Sequence, residues 1–100
     1  MRRFHIALSV TDIEKSIVEY TERLRAKPVA IVPREYALWR TEALNFSIRR
    51  SYVGSEKLRH LGWEDDSAIS FEMETDCNGI VWEQFSVAQQ TEEIQTTWPS

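Results

Sequence analysis

Residues 4–10 alternate without interruption, Phe4, Ile6, Leu8 and Val10 against His5, Ala7 and Ser9, and within three residues the alternation gives way to Ile13, Ile17, Tyr20 and Leu24. Successive strand side chains point to opposite faces, whereas helical residues three or four apart share one. The chain therefore opens with a strand whose apolar side is covered at once by the stripe of a helix over Ile13–Leu24. Thr11 and Glu14 stand at the spacing of a capping box, each side chain meeting an otherwise orphan backbone N–H. His5 is left on the side of the strand that the helix does not claim.

The rest of the first half follows from that start. Lys27-Pro28 ends the helix, because the residue before proline is steered out of the α region. Residues 29–32 and 36–40, short and rich in β-branched or aromatic side chains, read as the second and third strands. Leu44, Phe46 and Ile48 alternate with Asn45, Ser47 and Arg49 in a fourth, so the last three share the face of His5 if the first three meet the core. Residues 53–57 form the most loop-like stretch and close a β-α-β-β-β pattern.

Residues 58–64 begin a second half with a strand that puts Leu58, His60, Gly62 and Glu64 on one face. After a turn at Asp65-Asp66-Ser67, Ile69, Phe71 and Met73 alternate with Ser70, Glu72 and Glu74 as an antiparallel strand with one wet face. Asp76-Cys77-Asn78-Gly79 supplies turn chemistry, and residues 80–86 return as its partner, with Val81, Glu83 and Phe85 on one side. A lone carboxylate between two apolar neighbours is costly, so Glu83 requires compensation. The tail over 87–100 offers only Ile94 and Trp98 as anchors and receives no assignment. Tyr36, Tyr52, Trp39 and Trp63 are read first as core and only second as a pocket lining.

One hundred residues make one domain, small enough that a broad bare sheet face calls for a second copy. A net charge of −4 gives no support to a nucleic-acid partner, which needs many Lys and Arg against phosphates. The single cysteine, Cys77, excludes an intramolecular disulfide and a thiolate-rich metal site. No run approaches a membrane span or a signal peptide, and a cytoplasmic location is expected.

Three segments carry a resemblance. The run from Phe4 to Tyr20, the segment His60-Leu61-Gly62-Trp63-Glu64, and Asp76-Cys77-Asn78-Gly79-Ile80-Val81-Trp82-Glu83-Gln84-Phe85 together resemble the vicinal oxygen chelate superfamily. That group includes glyoxalase I, bleomycin-resistance proteins, extradiol dioxygenases, fosfomycin-resistance transferases and organoarsenical lyases. The resemblance implies an α+β fold in which paired βαβββ modules build a cupped mixed sheet around a divalent metal. It implies His5, His60 and Glu83 as metal ligands, a set suited to Fe, Mn, Ni or Zn with positions left for a substrate. In these terms residues 1–53 form a complete module and 58–86 a shortened, all-β one, because only Asp66-Ser67-Ala68 stands where a helix and a strand belong. A homodimer is expected to cover the face left bare. The helix also runs into Arg25 where the family places a glycine.

The resemblance implies a metal-dependent lyase, transferase or dioxygenase acting on a small molecule. Within it, the fourth ligand of glyoxalase I, the additional histidines of extradiol dioxygenases and the paired cysteines of organoarsenical lyases have no counterpart here. Arg49 is the candidate holder of an anion, and Tyr36 or Tyr52 the candidate acid. The alternative is a metal-free module that sequesters a ligand on the same fold.

Overall fold

The computed structural model describes residues 1–52 and 57–99. Nine elements follow in order: β1 (Arg2–Val10), α1 (Ile13–Leu24), β2 (Ala30–Val32), β3 (Tyr36–Arg40), β4 (Leu44–Arg50), β5 (Lys57–Asp65), β6 (Glu72–Thr75), β7 (Val81–Phe85) and α2 (Val87–Thr97). Seven strands form one mixed sheet in the order β2-β3-β4-β1-β5-β7-β6. The expected α+β class and the βαβββ start are what the fold shows. The expected loop at 53–57 falls mostly on residues 53–56, outside the described residues, while Lys57 already belongs to β5.

The two halves repeat one pairing scheme. β1 runs parallel to β4 and β4 antiparallel to β3, just as β5 runs parallel to β7 and β7 antiparallel to β6. Antiparallel pairing of β1 with β5 joins them. The second half lacks the helix and the outermost strand of the first, and residues 66–71 alone connect β5 to β6, with Phe71 stacked on Phe85 at 5.4 Å.

The core lies between α1 and the first half of the sheet. Val10, Ile13, Ala37, Trp39 and Ile48 are buried there, with Leu8, Ile17, Tyr20, Leu24 and Phe46 packed around them. Tyr20, Trp39 and Phe46 meet edge to face, an arrangement that ring quadrupoles favour. Trp39 is thus core, as expected, while Trp63 lies on the same side of the sheet in the half that has no helix.

Both helix starts differ from the sequence reading. The capping box expected of Thr11 and Glu14 does not form; Asp12 is the N-cap of α1, its carboxylate accepting from the Lys15 N–H at 3.0 Å. An ionised oxygen at the helix start is the stronger acceptor and also meets the positive end of the helix dipole. The box forms instead at α2, where Ser86 accepts from the Gln89 N–H and the Gln89 side chain accepts from the Ser86 N–H. The unassigned tail is thereby a helix, and it lies across the side of the sheet opposite α1.

Two strand expectations also change. Pairing of Ala7 with His60 but Leu8 with Leu58 marks a β-bulge, which moves Leu58 off the face of His60 and onto that of Leu8. Ile69 lies before β6 rather than in it and is 95% exposed, because residues 69–71 belong to the crossing that replaces the missing helix.

Candidate metal centre

The inner face of the sheet is a polar cup, and register builds it. His5 pairs with Gly62 and Asn45, Ala7 with His60, and Gly62 with Glu83, so His5, His60, Glu83 and Asn45 all project to the side away from α1. Gly62 permits the arrangement: a Cβ at this position would stand 2.2 Å from the Glu83 carbonyl oxygen, so any other residue would push β7 away. Asp76 closes the preceding turn, accepting from the Asn78 and Ile80 N–H groups and from the Trp82 indole, while Gly79 takes φ 79°.

The structure brings the three candidate ligands together. His5 Nε2 and His60 Nε2 are 2.9 Å apart, and Glu83 Oε1 lies 3.0 Å from His60 Nε2 and 3.9 Å from His5 Nε2. Donor atoms at about 2.1 Å from one divalent ion and at right angles to each other stand about 3 Å apart, so these separations suit adjacent ligands of a common ion. All three donors come from one chain.

The proton on His5 is directed by its neighbour. Nδ1 is 2.8 Å from Asn45 Oδ1 and 3.1 Å from the Asn45 carbonyl, both acceptors, so Nδ1 carries the hydrogen and Nε2 presents a lone pair to the cup. The Asn45 amide is itself fixed, since its Nδ2 donates to Glu64 Oε1 at 2.9 Å and to Gln90 Oε1 at 2.8 Å. Glu64, 1% exposed, accepts in turn from Arg3 Nη1 and Arg40 Nε, both at 2.6 Å. Burial alone would raise the Glu64 pKa, but hydrogen bonds from Arg40, Asn45 and Arg3 outweigh it and hold the group below the usual carboxylate range. Burial lowers the pKa of His5, and the adjacent His60 lowers it further, against the opposing pull of Asn45 and Glu83. A neutral His5 is the form a metal requires.

The space above these donors is a cavity of about 20 Å³, lined by His5, His60 and Glu83 together with Tyr36, Ser47, Arg59, Phe71, Phe85, Gln90 and Glu93. Such a volume admits one water or one ion. α2 forms its roof. Gln90 donates to Asn45 Oδ1 at 3.2 Å and accepts from Arg40 Nη2 at 3.0 Å, and Trp98 packs 4.9 Å from the Tyr36 ring.

The remaining sequence candidates are dispersed. Tyr36 lines the cavity, and burial drives its pKa up to about 12, against the Ser47 hydrogen bond that lowers it. Arg49 stands at the cup's rim, its guanidinium 5.0 Å from the centre of the Trp98 ring. Tyr52 is 80% exposed and held by Arg50, apart from the cavity lining. Cys77 is exposed in the β6–β7 turn. Sequence reasoning missed Arg59, which the bulge directs into the cup, and Gln90 and Glu93, whose helix it left unassigned. The Ser86-x-x-Gln89 box was the signal that could have found the last two.

The fold and its His-His-Glu cluster thus define a cupped mixed-sheet protein with a group that could hold a metal. Among solved structures, a hypothetical protein from Staphylococcus aureus is similar in fold, with TM-score 0.63 and 10% identity over 86% of this chain and 34% of that one. Among curated proteins, the chain is 32% identical over 97% of its length to the trivalent organoarsenical cleaving enzyme of Bacillus sp. (strain MD1). It spans 59% of that relative's length. No family model matches the chain. Among the described residues no helix is long and apolar enough to cross a membrane.

Proposed function

We propose that this chain is a divalent-metal-dependent enzyme of the vicinal oxygen chelate type, acting on a small molecule as a lyase or a related transferase or dioxygenase. The observation that carries the reading is the convergence of three donor atoms, His5 Nε2, His60 Nε2 and Glu83 Oε1, all within 4.8 Å of one another on the floor of a cup. The donor set fits the group. His5 presents an unprotonated nitrogen because Asn45 takes the proton on the other, Glu83 supplies the negative charge, and Phe85, 4.9 Å edge-on from His5, keeps one wall dry. A divalent ion held there would supply Lewis acidity toward a substrate oxygen. The chain's own part is to fix the imidazole orientations, exclude bulk water through α2 and Phe71, and hold charge around the cavity.

The relative's name supports a lyase over the other members of the class, while this chain carries only one cysteine for a soft ion. Trivalent arsenic is held by soft thiolates, and Cys77 is single and exposed. A different small molecule is therefore the proposed substrate, and a homodimer covering the helix-free face is part of the same reading.

A metal-free sequestering module is the second reading, and one feature favours it. His60 Nε2 lies within hydrogen-bond reach of both His5 Nε2 and Glu83 Oε1, so a single proton on His60 holds the trio together without an ion. Elemental analysis of protein purified without added metal, and again after incubation with Fe(II), Mn(II), Ni(II) or Zn(II), separates the two. The metal reading expects about one equivalent per chain, lost in His60→Ala. No uptake of any of the four by the parent protein would retire it.

A further inference from the structure

The cup carries two guanidinium groups whose charge is not locked in an ion pair among the described residues. Arg2, Arg3, Arg23, Arg40 and Arg50 each form an ion pair, but among the described residues Arg49 and Arg59 form none. Arg59 is half-buried and lines the cavity of His5, His60 and Glu83. The β-bulge puts it there: with Ala7 opposite His60 and Leu8 opposite Leu58, Arg59 is the extra residue, directed to the inner side beside His60. Arg49 reaches the same region from β4 across the Trp98 ring. Glu83 and Glu93 act on Arg59 through space, but a half-buried cation without a paired, hydrogen-bonded anion is costly, and the cost is met when such an anion arrives.

α2 already brings one anion close. Glu93 lines the same cavity and lies near enough to feel the charges of Glu83, His60, Arg59 and Arg49, yet it ion-pairs with neither arginine. Room for one water leaves no place for an acidic ligand group while Glu93 holds its position. Once a divalent ion is bound, the positive charge around the cavity exceeds the negative, which draws anions to the cup.

We propose that Arg59 and Arg49 form a receptor for an oxyanion group on the ligand of this site, and that Glu93 is the receptor's built-in competitor, displaced when that group enters. The location rests on the metal-site reading; the recognition of an anion rests on the arginines alone.

Inorganic phosphate serves as the probe, titrated by calorimetry into this 100-residue chain, both metal-free and Mn(II)-loaded, with metal content measured on every sample. Arg59→Gln is expected to weaken phosphate binding by at least about tenfold. Glu93→Gln is expected to tighten it several-fold, and Arg23→Gln, exposed and remote, to leave it unchanged. Opposite signs separate this role from mere support of the fold, which would move both cup variants the same way; circular dichroism confirms that each variant is folded. Phosphate that fails to bind the parent chain, or binds Arg59→Gln undiminished, or binds Glu93→Gln more weakly, would overturn the proposal. Absence of metal from all samples counts against the metal reading only, since the metal-free titrations still report on Arg59 and Glu93.

Discussion

Glu64 shows how far a single side chain can organise a cup of this kind. It is 1% exposed, yet it is a charged group on the floor of the sheet, gripped by Arg3 and Arg40 and tied through Asn45 to His5. Its pKa is lower in the folded chain than in the unfolded one, so its stabilising contribution is fully present above the unfolded carboxylate pKa. That contribution is lost as pH falls through the folded value. Glu64→Gln is therefore expected to be less stable than the parent at neutral pH, and the difference should shrink on acidification; denaturant titrations at a series of pH values below 7 check it. Residues of this kind were only half legible. Alternation on β1, β4 and β7 placed His5, Asn45 and Glu83 correctly, because their period of two is unbroken. Arg59 was illegible because a bulge inserts a residue and leaves no mark in the composition of the strand.

Helix ends were legible by type and misread by partner. α1 ends at Leu24, and Arg25 then takes the left-handed conformation with φ 53°, its N–H bonding to the Glu22 carbonyl and that of Ala26 to the Thr21 carbonyl. This is a Schellman ending, which glycine enters without a Cβ penalty and arginine does not. Arg25→Gly is expected to stabilise the chain by about 1 kcal/mol, read as a shift of the urea midpoint with an unchanged slope. α2 was harder to see for a physical reason. Its inward positions include Gln90, Ile94 and Trp98, and the first is polar because it meets Asn45 and Arg40 rather than a hydrophobic floor. A stripe that buries an amide gives no apolar period to detect.

At the scale of the whole molecule, the seven strands are covered unevenly. α1 covers the outer side of the first half, and α2 the inner side. On the outer side of the second half, Phe4 packs against Trp63 and Trp82 at 5.3 and 6.2 Å, with Arg2 3.9 Å above the Trp63 ring and no helix over them among the described residues. The missing helix was legible as a gap in the sequence, since three residues cannot replace one. A second copy seated on this face is the expected cover, and sedimentation equilibrium should report a dimer at micromolar concentration. A monomer throughout that range would leave these half-buried indoles without a partner's cover and remove the dimer from the proposed function.

The position of α2 also decides how the chain divides. It follows β7 in sequence, but its polar and ring contacts reach Asn45, Arg40, Tyr36 and Arg49 in the first half. The last helix therefore works as a clasp, thrown across the seam between β1 and β5. The two repeats cannot part like beads on a string, because separating them strips the roof from the cup in the same event. Any opening of this protein wide enough to part its halves is also an opening of its site.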